Sequence, residues 1–298
     1  MLGWLYDVAW SSILSLRQGP VQTLGAQENG FLYMRGTSER LLANSPIQAE
    51  DLPLKPKGHV RLVLVSDTHE RHRGLRLPPC DAVLHSGDVL ACSSYATRQH
   101  AEQVLKDFGD WLRSAECARR FVIAGNHDFW LEELGPETTQ ELLGDAVQYL
   151  EFSSGSFTVD LGAGPQELRV FGAPLSAGKS FNRAFQQKEA RQRFLAEPEI
   201  VRAEIVLTHG PLSSSMWTEE MVKRLSDLRP ALHVCGHIHG YYGRARPITT
   251  SGGLSINAST MQTVGRFTGQ RPWNPPIVLD LQLSAGAEPV GVAPTCAP

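Results

Sequence analysis

A chain of 298 residues with 42% hydrophobic and 20% charged residues has the makeup of a globular protein, neither disordered nor membrane-spanning. Its formal net charge of -3 offers no global attraction to a nucleic-acid backbone, so polymeric nucleic acid is not an expected partner. At about 150 residues per domain, the length allows one large domain or two small ones.

The first sixteen residues are apolar, and Leu2, Leu5, Trp10, Ile13 and Leu14 can share one helical face. Asp7, the lack of a basic lead and the lack of a small-residue cleavage site argue against a secretory signal. A helix packed on the domain is expected there. Weak contact with a membrane surface or a partner through residues 1–16 is the rival, disfavoured because the first cation is Arg17. Residues 1–58 read as an N-terminal arm packed on or leading into a main domain at 59–283, followed by a mobile Gly/Pro-rich tail at 284–298.

Five apolar runs in the main domain have the look of strands buried on both faces: Val60 to Val65, Ala82 to Leu84, Phe121 to Ala124, Glu204 to Thr208 and Leu232 to Cys235. Helical stretches fit between them at Ala96 to Ala115, with Gly109 a weak point, at Thr138 to Leu143, and at Asn182 to Ala196. This alternation predicts an α/β arrangement with a largely parallel sheet. Phe157 to Leu161 and Leu168 to Phe171 read as a hairpin, and Ile277 to Leu283 as a late strand, so a second, more antiparallel sheet is expected. The five cysteines are odd in number, widely spaced and without a C-x-x-C pair. They are read as reduced thiols of an intracellular, cytoplasmic protein.

Each of the five strand-like runs is followed at once by a polar cluster: Asp67-Thr-His69, Gly87-Asp88, Gly125-Asn-His-Asp128, Thr208-His-Gly210 and Gly236-His-Ile-His239. In open α/β sheets the carboxyl ends of the strands form the ligand crevice, so clusters distant in sequence converge there. One such cluster is weak evidence; five in succession make a site. Carboxylate, imidazole and one amide without thiolate suit manganese, iron or zinc. A carboxylate shared by two ions about 3.5–4 Å apart lets both act on one phosphoryl group, and Asp88 beside Gly87 is the candidate bridge. His85 is expected to hydrogen-bond behind the site and His233 to sit in the core. Asp128 has two readings, orienting an imidazole or capping the following helix. Arg71, His72 and Arg73, just past the first cluster, read first as a solvated loop, with Arg71 and His72 the candidates for contact with a substrate phosphate.

The order D-x-H, G-D, G-N-H-D, H-G and G-H-x-H, spanning Val60 to His239, resembles the calcineurin-like metallophosphoesterase superfamily. SDTHERH, LHSGDV, GNHDFW, LTHGP and CGHIHG together are similar to its metallophosphoesterase-domain-containing, class III phosphodiesterase-like branch. The resemblance implies a four-layer α/β/β/α sandwich with two central mixed β-sheets. It implies two divalent metal ions (Mn2+, Fe2+/Fe3+ or Zn2+), one held by Asp67, His69 and His239, the other by Asn126, His209 and His237, with Asp88 bridging. A metal-bridging hydroxide would attack the phosphorus of a small-molecule phosphate ester, a nucleotide-like phosphodiester before a phosphomonoester or phosphoprotein. His127, with Asp128 as its neighbouring acid, would serve catalysis, and Asn126 and His127 would also touch substrate. A non-catalytic metal-binding scaffold on the same fold is the alternative.

Overall fold

The computed structural model describes residues 30–91, 97–162, 164–176, 182, 184–186, 188–196, 203–212, 218–249, 252–262 and 273–283. The apolar start and the tail lie outside them. In chain order the elements are β1 (Gly30–Thr37), β2 (Leu41–Gln48), β3 (His59–Val65), β4 (Cys80–Ser86), α1 (Arg98–Arg113), β5 (Cys117–Ile123), α2 (Phe129–Leu143), β6 (Gln148–Tyr149), β7 (Ser153–Asp160), β8 (Pro165–Ala173), α3 (Lys188–Ala196), β9 (Ile205–Thr208), α4 (Glu219–Leu228), β10 (Leu232–Cys235), β11 (Ala245–Thr249), β12 (Gly252–Asn257) and β13 (Ile277–Gln282).

Two mixed sheets form the centre. One runs β2-β1-β13-β3-β4-β5-β6 and the other β11-β12-β10-β9-β8-β7. β3, β4, β5 and β6 are parallel, as are β8, β9, β10 and β12. The second sheet is therefore parallel in its middle, with antiparallel pairs at its β7 and β11 edges. Residues of both sheets interleave in one core, where Leu62, Leu64, Leu84, Phe121, Val170, Leu207, Val234 and Ile256 are all buried. This is why the apolar runs are continuous: each strand has one face on this core and the other under a helix layer.

α1 and α2 cover the first sheet through Leu105, Phe108, Leu112, Leu131 and Leu143. α3 and α4 cover the second through Phe194, Met221 and Leu225. The layers are thus α/β/β/α, as the resemblance implies. Thr97 caps α1 by accepting from the His100 N–H, and Leu105, Phe108 and Leu112 share its buried face. Gly109 is no weak point: a Cβ there would collide with the Leu143 backbone, so it permits the close approach of α1 to α2. α2 starts nine residues earlier than expected, at Phe129, and kinks at Gly135 (φ 77°) before Pro136. α3 is shorter than expected, and α4, unmarked in the sequence reading, is capped by Thr218.

The arm at 1–58 needs correction in its second half. Residues 30–48 are two strands of the first sheet, β1 lying parallel to the late strand β13, which itself sits antiparallel beside β3. A buried ion pair fastens this side. Asp280 of β13 accepts from Arg61 Nε and Nη2 of β3, both at 2.7 Å, and from the Tyr33 hydroxyl of β1 at 2.9 Å. β2 hid from pattern reading because its Ala43-Asn-Ser-Pro46 stretch is an exposed edge that accepts polar residues and proline.

Candidate metal centre

The carboxyl ends of β3, β4, β5, β9 and β10 meet at one point and bring together all seven residues expected there. Asp67 Oδ1 lies 3.1 Å from His239 Nε2, which is 3.4 Å from His69 Nε2. Asn126 Oδ1 lies 3.0 Å from His209 Nε2 and 2.6 Å from His237 Nδ1. Asp88 Oδ2 faces both groups, 3.7 Å from His69 Nε2 and 3.2 Å from His209 Nε2. Ligand-type atoms of Asp67, His69 and His239 fall within 4.8 Å of one another, as do those of Asp67, Asp88 and His209. These two groups share Asp67, and a third, of His69, Asp88 and His127, adjoins both; such closely set N and O donors fit borderline divalent cations.

The backbone gives this convergence at a cost. Asp67, His69, Asp88 and His237 have φ of 56°, 41°, 58° and 65°, a left-handed shape that side-chain-bearing residues avoid unless surroundings impose it. Here the surroundings are extensive. Asp67 N–H donates to Gly87 O (2.9 Å) and His69 N–H to Asp88 O (3.0 Å), while the His237 N–H donates to both Asp67 oxygens at 3.1 Å. Gly125 and Gly236 are required for space, since a Cβ would strike Asp88 Oδ1 at the first and Asp67 Oδ2 at the second.

Hydrogen bonds behind the donors fix which ring atom faces inward. His69 Nδ1–H donates to Leu90 O (3.0 Å) and His209 Nδ1–H to Ser86 O (2.8 Å), leaving each Nε2 for the centre. Ser259 donates to Asp67 Oδ2 (2.8 Å), and Asn257 Nδ2 donates to Gly236 O (2.7 Å), holding the turn that carries His237 and His239. Ser259 carries no motif that would reveal it. His85 bonds Thr68 Oγ1 (3.1 Å) behind the first cluster, as expected.

Burial holds His69 and His237 down to about 3, so both imidazoles are neutral and able to ligate. Burial also opposes charge on Asp88, but His209 and His127 beside it keep the carboxyl well below the usual range. The same burial pushes His209 down, yet the Asp88 and Asp67 carboxylates lift it to about 9. The centre is thus a buried point that favours positive charge.

His127 stands at the mouth, with 17% of its side chain exposed. Its backbone N–H donates to Asp88 Oδ1 (2.8 Å) and its Nδ1–H to Ala91 O (2.8 Å), so Nε2 points inward, 4.0 Å from Asp88 Oδ2. Asn182 Nδ2 is 3.0 Å from that Nε2, a neighbour the sequence reading placed only in a helix.

Asp128 fits neither role expected of it. Its wholly buried carboxylate caps nothing in α2 and touches no imidazole; it accepts from the N–H groups of Gly125 (2.7 Å), Leu90 (2.8 Å) and Val89 (3.2 Å). It braces the loop after β4 against the loop after β5. Burial and the neighbouring Asp88 charge push its carboxyl up to about 7. His72 is also corrected. The turn after Arg71 swings its ring away from the centre onto α1, where Nε2 meets Asp107 Oδ2 at 2.9 Å and the ring packs edge-on against Phe108. Arg71 stays exposed, its guanidinium 5.8 Å from the Trp273 ring.

The sequence profile of the calcineurin-like phosphoesterases matches residues 60–241. Metallophosphoesterase domain-containing protein 1 of Homo sapiens is 29% identical over 260 residues, covering 76% of this chain and 72% of that protein. A probable rhamnogalacturonate lyase C of Emericella nidulans is 33% identical over 202 residues, covering 62% of this chain but 18% of that protein. A solved structure, "GAP50 the anchor in the inner membrane complex of Plasmodium", is 13% identical, with a TM-score of 0.42 over 68% of this chain and 72% of that one, too distant a likeness to bear on function. The profile covers more than half of the chain and ends just past the last of the seven converging donors, so this protein belongs to the calcineurin-like phosphoesterase family and is a metal-dependent phosphoester hydrolase.

Proposed function

We propose that the protein hydrolyses a phosphodiester of a small, nucleotide-like molecule, with Asp67, His69 and His239 holding one divalent cation, Asn126, His209 and His237 a second, and Asp88 shared. The carrying observation is Asp88 Oδ2 facing both donor groups while His127 Nε2 stands 4.0 Å away at the mouth. Cations bound there supply Lewis acidity and bring the pKa of water from 15.7 towards about 7. His127 is placed to hold a proton at Nε2 for the departing oxygen, because Ala91 O fixes its other nitrogen. Asn126 is too enclosed by His209 and His237 to serve substrate first, whereas Arg71, exposed two residues past His69, is the candidate cation for a phosphate oxygen. The order, diester before monoester, rests on the resemblance to the class III phosphodiesterase-like branch. The chain's similarity to metallophosphoesterase domain-containing protein 1 points the same way as the branch resemblance.

The test is elemental analysis of the purified protein, followed by a panel of phosphodiesters and phosphomonoesters with added manganese. Two ions per chain and faster turnover of diesters are expected. Faster turnover of monoesters would reverse the substrate order, and two bound ions with no turnover of any ester would leave a scaffold.

A further inference from the structure

At the end of the first sheet opposite the metal centre, Cys80 opens β4 and Cys117 opens β5, and the two are register partners on adjacent parallel strands. Both side chains pack on the same helix-covered face of the sheet, so the thiols point the same way and interact with each other. Residues directly opposite on neighbouring strands have Cα atoms about 5 Å apart. A disulfide accepts Cα separations of about 4.4–6.8 Å. Both thiols are half-buried and line a cleft of about 480 Å³ with Lys55, Arg61, Asp81 and Glu116, which lets a small oxidant reach them. Cys235, by contrast, is fully enclosed in β10. Wide spacing in sequence concealed this pair; only the strand register brings residues 80 and 117 together.

We propose that Cys80 and Cys117 are a peroxide-reactive dithiol that closes to a reversible disulfide, with Cys117 attacking first. The Cys117 thiolate attacks one oxygen of a hydroperoxide, the O–O bond breaks, and the leaving oxygen takes a proton, giving Cys117 sulfenic acid. The Cys80 sulfur then attacks the Cys117 sulfur. The S–S bond forms, the sulfenic oxygen departs with the Cys80 proton as water, and two thiols have lost two electrons to the peroxide. The order follows from the surroundings. The neighbouring Cys80 sulfur, the Arg120 charge and the backbone of Val83 and Arg119 pull the Cys117 thiol below its ordinary value against the effect of burial, while contact with Cys117 and burial push Cys80 up. None of the residues of the metal centre takes part.

The test uses the full chain loaded with zinc, which has no redox chemistry of its own. Treatment with hydrogen peroxide, alkylation and non-reducing peptide mapping should show Cys80 joined to Cys117, the linked peptides lighter by two hydrogens and separated again by dithiothreitol, with Cys235 still alkylatable once unfolded. In Cys80→Ser, dimedone should trap Cys117 as the sulfenic acid; in Cys117→Ser, neither adduct nor link should form. The mapping of the parent protein decides without either variant. Cys80 and Cys117 both remaining thiols as peroxide is consumed, or Cys117 linking instead to Cys92 or Cys296, would overturn the proposal.

Discussion

Removing the Asp128 carboxylate isolates a brace from the ligands that it supports. Asp128→Ala strands three buried N–H groups, those of Val89, Leu90 and Gly125, that now donate to one side chain. An orphaned buried donor costs about 1–3 kcal/mol. Three that share one cavity, with some entry of water, should cost about 3–5 kcal/mol together rather than the full sum. With a urea m-value of about 3 kcal/mol/M, the unfolding midpoint falls by about 1–1.7 M. Because two of the N–H groups directly follow Asp88 and the third precedes Asn126, metal occupancy should fall with stability. Asp128→Asn, which keeps one accepting oxygen, should lose roughly half as much. The measurements are urea titrations of the apo and metal-loaded protein beside elemental analysis. A variant that keeps its midpoint within about 0.3 M and retains its ions, yet turns over slowly, would refute the bracing argument and return Asp128 to a chemical role.

His127→Ala should leave both ions in place and lower kcat by about 10²–10⁴-fold, as for loss of a general acid; equal rates would remove the assignment. Asp88→Asn should weaken both cation sites at once, because the shared oxygen loses its charge, and elemental analysis showing two ions at unchanged affinity would contradict the bridge. Asp280→Ala leaves Arg61 charged and buried without its partner, a loss of about 3–5 kcal/mol in urea melts. Arg61→Met with Asp280→Leu should recover most of it, and failure to do so would place the cost elsewhere. Burial holds His233 at about 3. The unfolded chain therefore binds the extra proton first, and stability present above about 6.5 drains away as pH falls towards 3, by up to about 1.4 kcal/mol per unit for this group. His233→Gln should flatten that slope, and parallel curves for variant and parent would exclude His233 as its source.

The site was more legible than the framework that carries it. Strands buried on both faces leave a plain apolar signature, and the donors follow within one to four residues, so Asp67, Asp88, Asn126, His209 and His237 could be placed by adjacency alone. Adjacency misled at His72, which is three residues past His69 but on the far side of a turn. It was silent on Ser259 and Asn182, which reach Asp67 and His127 from distant segments. Asp128 was misjudged because its partners are backbone N–H groups, which no side-chain pattern encodes. β1 and β2 escaped because one is joined to the body through β13, almost 250 residues later, and the other is a polar edge.

The seven donors do not belong to one sheet. Asp67, His69, Asp88 and Asn126 hang from the first, and His209, His237 and His239 from the second. Ions held by both would rivet two plates that are otherwise joined by apolar contact and by a few hydrogen bonds, such as His237 N–H to Asp67 and His209 Nδ1–H to Ser86 O. The free energy of metal binding would then also be an energy of plate-to-plate adhesion, and a chelator should loosen the whole sandwich rather than a local loop. Occupancy of the centre becomes a gauge of whether the two halves of the molecule have met.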